Sequence, residues 1–235
     1  MPARITTHSF TDCHALAVAL AERVAECLGA AIAERGHALL AVSGGTTPLH
    51  FFDQISRIEL DWAKVQVTLV DERWVGEQDP RSNARLVRTR LLQHAAAAAS
   101  FVPLYRAAGT PEAAQAEIAG RIDALPLPFD AVILGMGLDG HTASFFPDGD
   151  RLGEALDPAA DMPVLPMRAP GAGEPRITLS LATLLKARAL FVHIEGEAKR
   201  RVFADAQLGL GIGAGYPIRA VLDQATVPVA VYWCP

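Results

Sequence analysis

Residues 129–147 read FDAVILGMGLDGHTASFFP, and the first six of them decide the fold. Phe129 to Leu134 is an apolar run of strand length, interrupted only by Asp130. A strand apolar on both faces belongs inside a sheet that is covered on both sides. Working outward, runs of the same kind occur at His37–Val42, Val65–Val70, Ala189–Ile194 and Val227–Tyr232. Helical patterns alternate with them near 48–57, 82–95, 111–124, 197–208 and 216–225. Ahead of them all, Thr11 to about Arg35 reads as one helix, with Leu16, Leu20, Val24, Leu28 and Ile32 at four-residue steps and Gly36 as its stop. The alternation predicts a doubly wound α/β fold, a mainly parallel sheet with helices on both faces. The stretch Asp148–Glu174, rich in Pro, Gly and Ala and carrying MPVLPMRAP, predicts extended edge structure and loop. With no internal repeat and no long linker, residues 1–235 read as a single domain.

The chain is 51% hydrophobic and 20% charged, with a formal net charge of -5 and no stripe of Lys and Arg. That balance argues against nucleic acid as a partner and leaves room for one phosphorylated metabolite, which needs only a local group of donors. The segment MPARITTHSFTDCH lacks a basic start followed by an apolar run, so no secretory signal is expected. No stretch is apolar for long enough to span a membrane. Three cysteines make an odd number without a CxxC pair. Cys13 and Cys27 fall on one helix, where 14 steps of 1.5 Å separate them by roughly 21 Å, beyond disulfide reach. These features predict a soluble protein of a reducing, cytoplasmic compartment. Oligomeric state stays open between a monomer and a weak dimer.

Doubly wound sheets bind ligands beyond the carboxyl ends of their strands, and there stand SGGTTP (Ser43–Pro48), DERW (Asp71–Trp74) and GMGLDGH (Gly135–His141). In SGGTTP, paired glycines, the hydroxyls of Ser43, Thr46 and Thr47 and the free N–H groups of a helix start form an anion cradle, with Pro48 suited to the first helical position. No Gly-Lys-Ser/Thr follows, so this is not a nucleotide P-loop. GMGLDG matches the spacing GxGxxG, but the chain runs on into HTASFFPDGD and a Pro-rich loop, so a dinucleotide site is rejected. The segment instead sets Asp139 two residues from His141 on a loop flanked by glycines, an arrangement suited to general base catalysis.

Asp71 and Glu72 can ligate a metal, act as bases or pair with Arg73 at the rim. Ser82 or Asn83, after Arg81, caps the following helix. PRITLSL and EGEAKRRVF supply Arg176 and Lys199, a planar fork and a point charge, both suited to phosphate. There is no GxSxG elbow, no HExxH and no Cys/His cluster, which leaves attack by water without a metal.

Taken in order and spacing, AVSGGTTP, VTLVDERWV, SNARLVR, ILGMGLDGHTASFFP, RITLSL and EGEAKR resemble the 6-phosphogluconolactonase family, related in fold to glucosamine-6-phosphate deaminase. The resemblance runs from about His37 to the last strand. It implies hydrolysis of 6-phospho-D-glucono-1,5-lactone to 6-phosphogluconate in the oxidative pentose phosphate pathway, with no cofactor and no metal. Position by position it makes His141 the general base and Asp139 the residue that orients it or raises its basicity. Ser43, Gly44, Gly45 and Thr46 become the phosphate loop, completed by Arg176 and Lys199. Asp71 holds substrate hydroxyls or tunes the charge of the cleft, and Arg81 matches an arginine of the family's substrate cleft. An oxyanion formed at the carbonyl would meet N–H groups of the 135–141 loop or an arginine. Two other readings compete. Deaminases follow DGH with an Asn-Glu-Pro run, where this chain has Phe145-Phe146-Pro147; a non-catalytic sugar-phosphate sensor would often add a DNA-binding segment.

Overall fold

The five apolar runs become the five inner strands of one sheet. In this computed structural model, which describes residues 4–235, the strands are β1 (Ile5–Ser9), β2 (Ala38–Val42), β3 (Val65–Leu69), β4 (Asp71–Arg73), β5 (Ser100–Val102), β6 (Ala131–Leu134), β7 (Val164–Met167), β8 (Arg176–Leu179), β9 (Leu190–Glu195) and β10 (Val229–Cys234). The helices are α1 (Cys13–Arg35), α2 (Leu49–Ile55), α3 (Asn83–Leu86), α4 (Pro111–Asp123), α5 (Leu152–Ala155), α6 (Leu181–Leu184), α7 (Glu197–Leu208) and α8 (Ile218–Gln224). Seven strands pair in the order β1-β10-β9-β6-β2-β3-β5, every pairing parallel. All residues of β2 and β6 are buried, as a sheet covered on both faces requires.

Both edge strands lie outside the runs read from the sequence. ITTHS of β1 and SFV of β5 are short, polar in part and half-exposed, so they carry little of the continuous apolar signal. From β2 the chain proceeds outward through β3 to β5, then returns to place β6 on the other side of β2. The strand order reverses between β2 and β6, and the crevice at that switch point is where such sheets take ligands.

Helix α1 follows its expected pattern closely. Asp12 caps it by accepting the Ala15 N–H at 2.8 Å, and Gly36 ends it in the left-handed region. Leu16, Leu20, Val24 and Leu28 are fully buried, while Ile32 is only partly so. Pro48 precedes α2 rather than opening it. The 82–95 pattern resolves into α3, a π-helical turn at Val87–Leu91 and a 3₁₀ turn at His94–Ala98.

One expectation is corrected and another is met in a different sheet. DERW does not simply close the second apolar strand: Asp71–Arg73 leaves the main sheet as β4 and pairs antiparallel with β8, Asp71 opposite Thr178 and Arg73 opposite Arg176. The Pro-rich segment does supply an edge strand, β7, but to this second sheet of order β4-β8-β7. Pro166 is tolerated there because an edge strand leaves one side of its backbone unpaired.

The cysteine reading is corrected as well. Cys13 is bonded to Cys234, their Cα atoms 5.4 Å apart, while Cys27 is free. Considering Cys13 against Cys27 missed the partner that the sheet supplies. β10 pairs with β1, and the Phe10 N–H donates to the Trp233 carbonyl at 2.9 Å, which brings the end of β10 to the start of α1. Cysteine usage therefore gives no argument for a reducing compartment.

Candidate active site

Beyond the ends of β2 and β6 opens a cavity of about 300 Å³, walled by the Ser43–Pro48 loop, Asp71, Arg73, Asn83, residues 133–137, His141, Phe146, Arg176, His193 and Lys199. The two loops that flank the switch point are stapled together by Ser43. Its hydroxyl donates to the Ile133 carbonyl and accepts the Gly135 N–H, both at 3.0 Å. Ser43 thus lines the cavity with its proton already committed. The Ser43 N–H is spent as well, on the Ile133 carbonyl at 3.0 Å, so the donors left to this loop are the backbone N–H groups of Gly44 to Thr47 and the hydroxyls of Thr46 and Thr47. Lys199, in the first turn of α7, reaches across to the Thr47 hydroxyl at 3.2 Å. Burial lowers its pKa, and the charge of Glu195 opposes that shift.

On the other side, the 135–142 loop presents His141. Asp139 Oδ1 lies 2.5 Å from His141 Nδ1 and accepts the His141 backbone N–H at 3.2 Å. Gly137 is required for this fold-back, since a Cβ there would come within 2.3 Å of the imidazole. Burial works to raise the Asp139 pKa, but the hydrogen bond and charge of His141 outweigh it and hold the carboxyl below its ordinary value. A carboxylate accepting from Nδ1–H fixes the tautomer in which Nε2 carries the lone pair, the form a general base needs. The ring rests on Phe146, with centroids 4.5 Å apart.

Arg176 crosses the same Phe146 ring at 5.4 Å and is mostly buried. Its Nη2 donates to the Ala172 carbonyl at 2.7 Å, Nη1 stands 3.8 Å from Asp71, and its Nε is buried without a partner among the described residues. Burial lowers the pKa of this guanidinium, and the charge of Asp71 works against that. Asp71 accepts the Ser144 hydroxyl at 2.5 Å. The rim pair expected between Asp71 or Glu72 and the Arg73 side chain is replaced by other contacts: Arg73 Nη1 donates to the Arg81 carbonyl at 2.5 Å, and its Nε is a second buried donor without a partner.

Of the residues expected from the sequence, Ser43, Gly44, Gly45, Thr46, Asp71, His141, Arg176 and Lys199 meet in this one wall, with Asp139 behind His141. Arg81 does not join them. Its side chain is exposed and engaged by Asp79 and Glu174, both at 2.9 Å. Nor do Arg176 and Lys199 share partners: one is grouped with Phe146 and Asp71, the other with Thr47. The 135–141 loop is also a poorer oxyanion donor than expected. The N–H groups of Gly135, Gly137, Gly140 and His141 are spent on Ser43, His141, Gly137 and Asp139.

Arg73, Asn83 and His193 were missed as wall residues. Of the two cap candidates, Ser82 takes the role by accepting the Arg85 N–H at 3.2 Å, which leaves the Asn83 side chain to the cavity. His193 carried a usable signal, an imidazole inside the apolar run FVHI, where polar side chains are rare. It is 2% exposed, and Nε2 lies 3.2 Å from Glu195.

A 6-phosphogluconolactonase of Mesorhizobium japonicum is 56% identical over 228 residues, covering 97% of this chain and 94% of that protein. One from Pseudomonas aeruginosa is 43% identical over 217 residues, covering 92% and 89%. The crystal structure of a 6-phosphogluconolactonase from Shewanella baltica matches with TM-score 0.95 at 40% identity, covering 100% of both chains. A monomeric glucosamine-6-phosphate deaminase shares the fold, with TM-score 0.72 at 18% identity over 96% of each chain. The family model described as glucosamine-6-phosphate isomerases/6-phosphogluconolactonase matches residues 11–233, and the chain belongs to that family.

Proposed function

We propose that this chain hydrolyses 6-phospho-D-glucono-1,5-lactone to 6-phosphogluconate, with water activated by His141. The observation that carries the reading is the Asp139–His141 pair, whose Nδ1 is engaged and whose ring stands in the same wall as the Ser43–Pro48 anion cradle. The cradle N–H groups and Lys199 take the phosphate, which fixes the lactone ring so that water and carbonyl meet. His141 Nε2 removes the proton of the attacking water. The carbonyl oxygen gains charge, and the Arg176 guanidinium beside the same Phe146 ring is the cation placed to meet it. When the bond between the acyl carbon and the ring oxygen breaks, the proton held on His141 passes to that departing oxygen, which becomes a hydroxyl of the open product, and the free base is restored. This assignment moves Arg176 from the phosphate to the carbonyl end, because its contacts lie with Phe146 and Asp71. The deaminase reading fits less well: the position of that family's glutamate is held by Phe146, and its ring packs on His141.

The deciding measurement is hydrolysis of freshly made 6-phosphogluconolactone, corrected for its spontaneous opening, beside unphosphorylated gluconolactone. The phosphorylated lactone should be strongly preferred in kcat/KM. Equal efficiency would remove the phosphate assignment, and tight binding without turnover would favour a sensor.

The wall also argues for a reaction without a metal. It holds Asp71 as its one carboxylate, with His141 and His193, against the three cations Arg73, Arg176 and Lys199, a donor set suited to an anion. Turnover should therefore survive exhaustive treatment with EDTA. Activity lost to the chelator and restored by one divalent ion would sink this and make Asp71 a ligand. We place the protein in the cytoplasm on the strength of this substrate; among the described residues no helix is long and apolar enough to cross a membrane.

A further inference from the structure

Glu72 lies one residue beyond Asp71 in β4 and is fully buried, yet no step above uses it. Its Oε1 accepts the backbone N–H groups of Arg73 and Asn83, both at 2.7 Å. Its Oε2 accepts the Ala84 N–H at 2.7 Å and the Ser82 hydroxyl at 3.2 Å. One carboxylate thus gathers the whole start of α3. Burial pushes its pKa up to about 7 against the pull of these same hydrogen bonds. Such a group is expensive to bury and is kept where its partners must not move.

Two of these partners, Arg73 and Asn83, line the cavity, and Asn83 is the one whose side chain meets both Asp71 and Gly44. Its Nδ2 donates to the Asp71 carbonyl at 3.0 Å and stands 3.5 Å from Asp71 Oδ1. Its Oδ1 occupies the space beside Gly44, where a Cβ would fall 1.9 Å away. The Asn83 amide is therefore wedged between the anion cradle and Asp71, with Glu72 holding its backbone from behind.

We infer that Glu72 is a positioning residue, which through Asn83 sets the spacing between the Ser43–Pro48 cradle and Asp71. The inference rests on the lactonase reading, in which the cradle takes the phosphate and Asp71 stands beside Arg176 at the carbonyl end. Small displacements of positioning groups cost large factors in rate, so the wedge has a kinetic signature that a purely structural buried acid lacks.

The test is a double-mutant cycle in kcat/KM, with Tm measured alongside. Glu72→Gln keeps the volume but turns an amide NH2 toward the Ala84 N–H, releasing the start of α3. Asn83→Ala removes the wedge. Each should lower kcat/KM for the phosphorylated lactone at least tenfold. In the Asn83→Ala background, Glu72→Gln should add less than twofold while still lowering Tm, because its kinetic effect passes through Asn83. Costs that multiply, or wild-type kinetics in Glu72→Gln, overturn the inference. Should Glu72→Gln fail to fold, Ser82→Ala strips a single donor from the carboxylate and enters the same cycle with the same expected non-additivity. Titration calorimetry with 6-phosphogluconate repeats the cycle without turnover. Wild-type protein that binds the product but hydrolyses no lactone sinks the lactonase reading and leaves the cycle in affinity to judge Glu72. Wild-type protein that does neither overturns both.

Discussion

His141→Asn should lower kcat by about a hundredfold to ten-thousandfold, the range that a general base contributes. Asn keeps a polar side chain of similar reach against Phe146 and can still contact Asp139, so the fold and the affinity for product should hold. A base acts mainly in the transition state, and the loss should therefore fall on kcat rather than KM. The pH profile of kcat/KM should lose its ascending limb. Steady-state kinetics across pH, with calorimetric binding of 6-phosphogluconate, checks all three. Near-normal turnover would make His141 a structural residue and shift the base to Asp71, the carboxylate of the wall, which Ser144 holds in place.

Arg176→Ala should lower kcat/KM by roughly tenfold to 150-fold, equivalent to about 1.5–3 kcal/mol, the range for a hydrogen bond to a charged group. Arg176 stands with His141 at the Phe146 ring, and its buried Nε lacks a partner, so the donor is positioned and unspent. Most of the loss should appear in kcat. A rise in KM with kcat intact would instead return Arg176 to the phosphate, as the sequence had suggested. No change in either parameter would remove it from the site. The variant should also be read for Tm, because Asp71 loses the cation 3.8 Å away.

How much of this was legible beforehand follows from what each residue depends on. The five inner strands could be read because burial on both faces writes itself as an unbroken apolar run. β1 and β5 are edges, and β4, β7 and β8 form a small sheet whose residues (DER, VLPM, RITL) answer to local pairing more than to periodicity. Asp139 and His141 were legible because they act on each other across two positions of one loop. Lys199 was legible as a first-turn residue of α7. Arg73 and Asn83 were not, since each enters the cavity through elements that the sequence does not place side by side, whereas His193 left one sign, an imidazole inside the apolar run FVHI. Arg81 shows the converse: a residue matched by resemblance is held outside by Asp79 and Glu174, partners visible only in three dimensions. Ser43 lines the cavity, but its proton goes to the Ile133 carbonyl, 90 residues away and out of reach of any local reading.

The Cys13–Cys234 bond joins positions 221 residues apart, close to the two ends of the chain. Almost every peptide bond of the protein lies between them. A protease that clips one exposed loop, such as the turn at Asp157–Ala160, therefore produces two fragments that remain a single covalent molecule. On a denaturing gel such a nicked sample runs as one species until dithiothreitol is added and as two afterwards. Integrity judged without reductant would overlook the cut altogether.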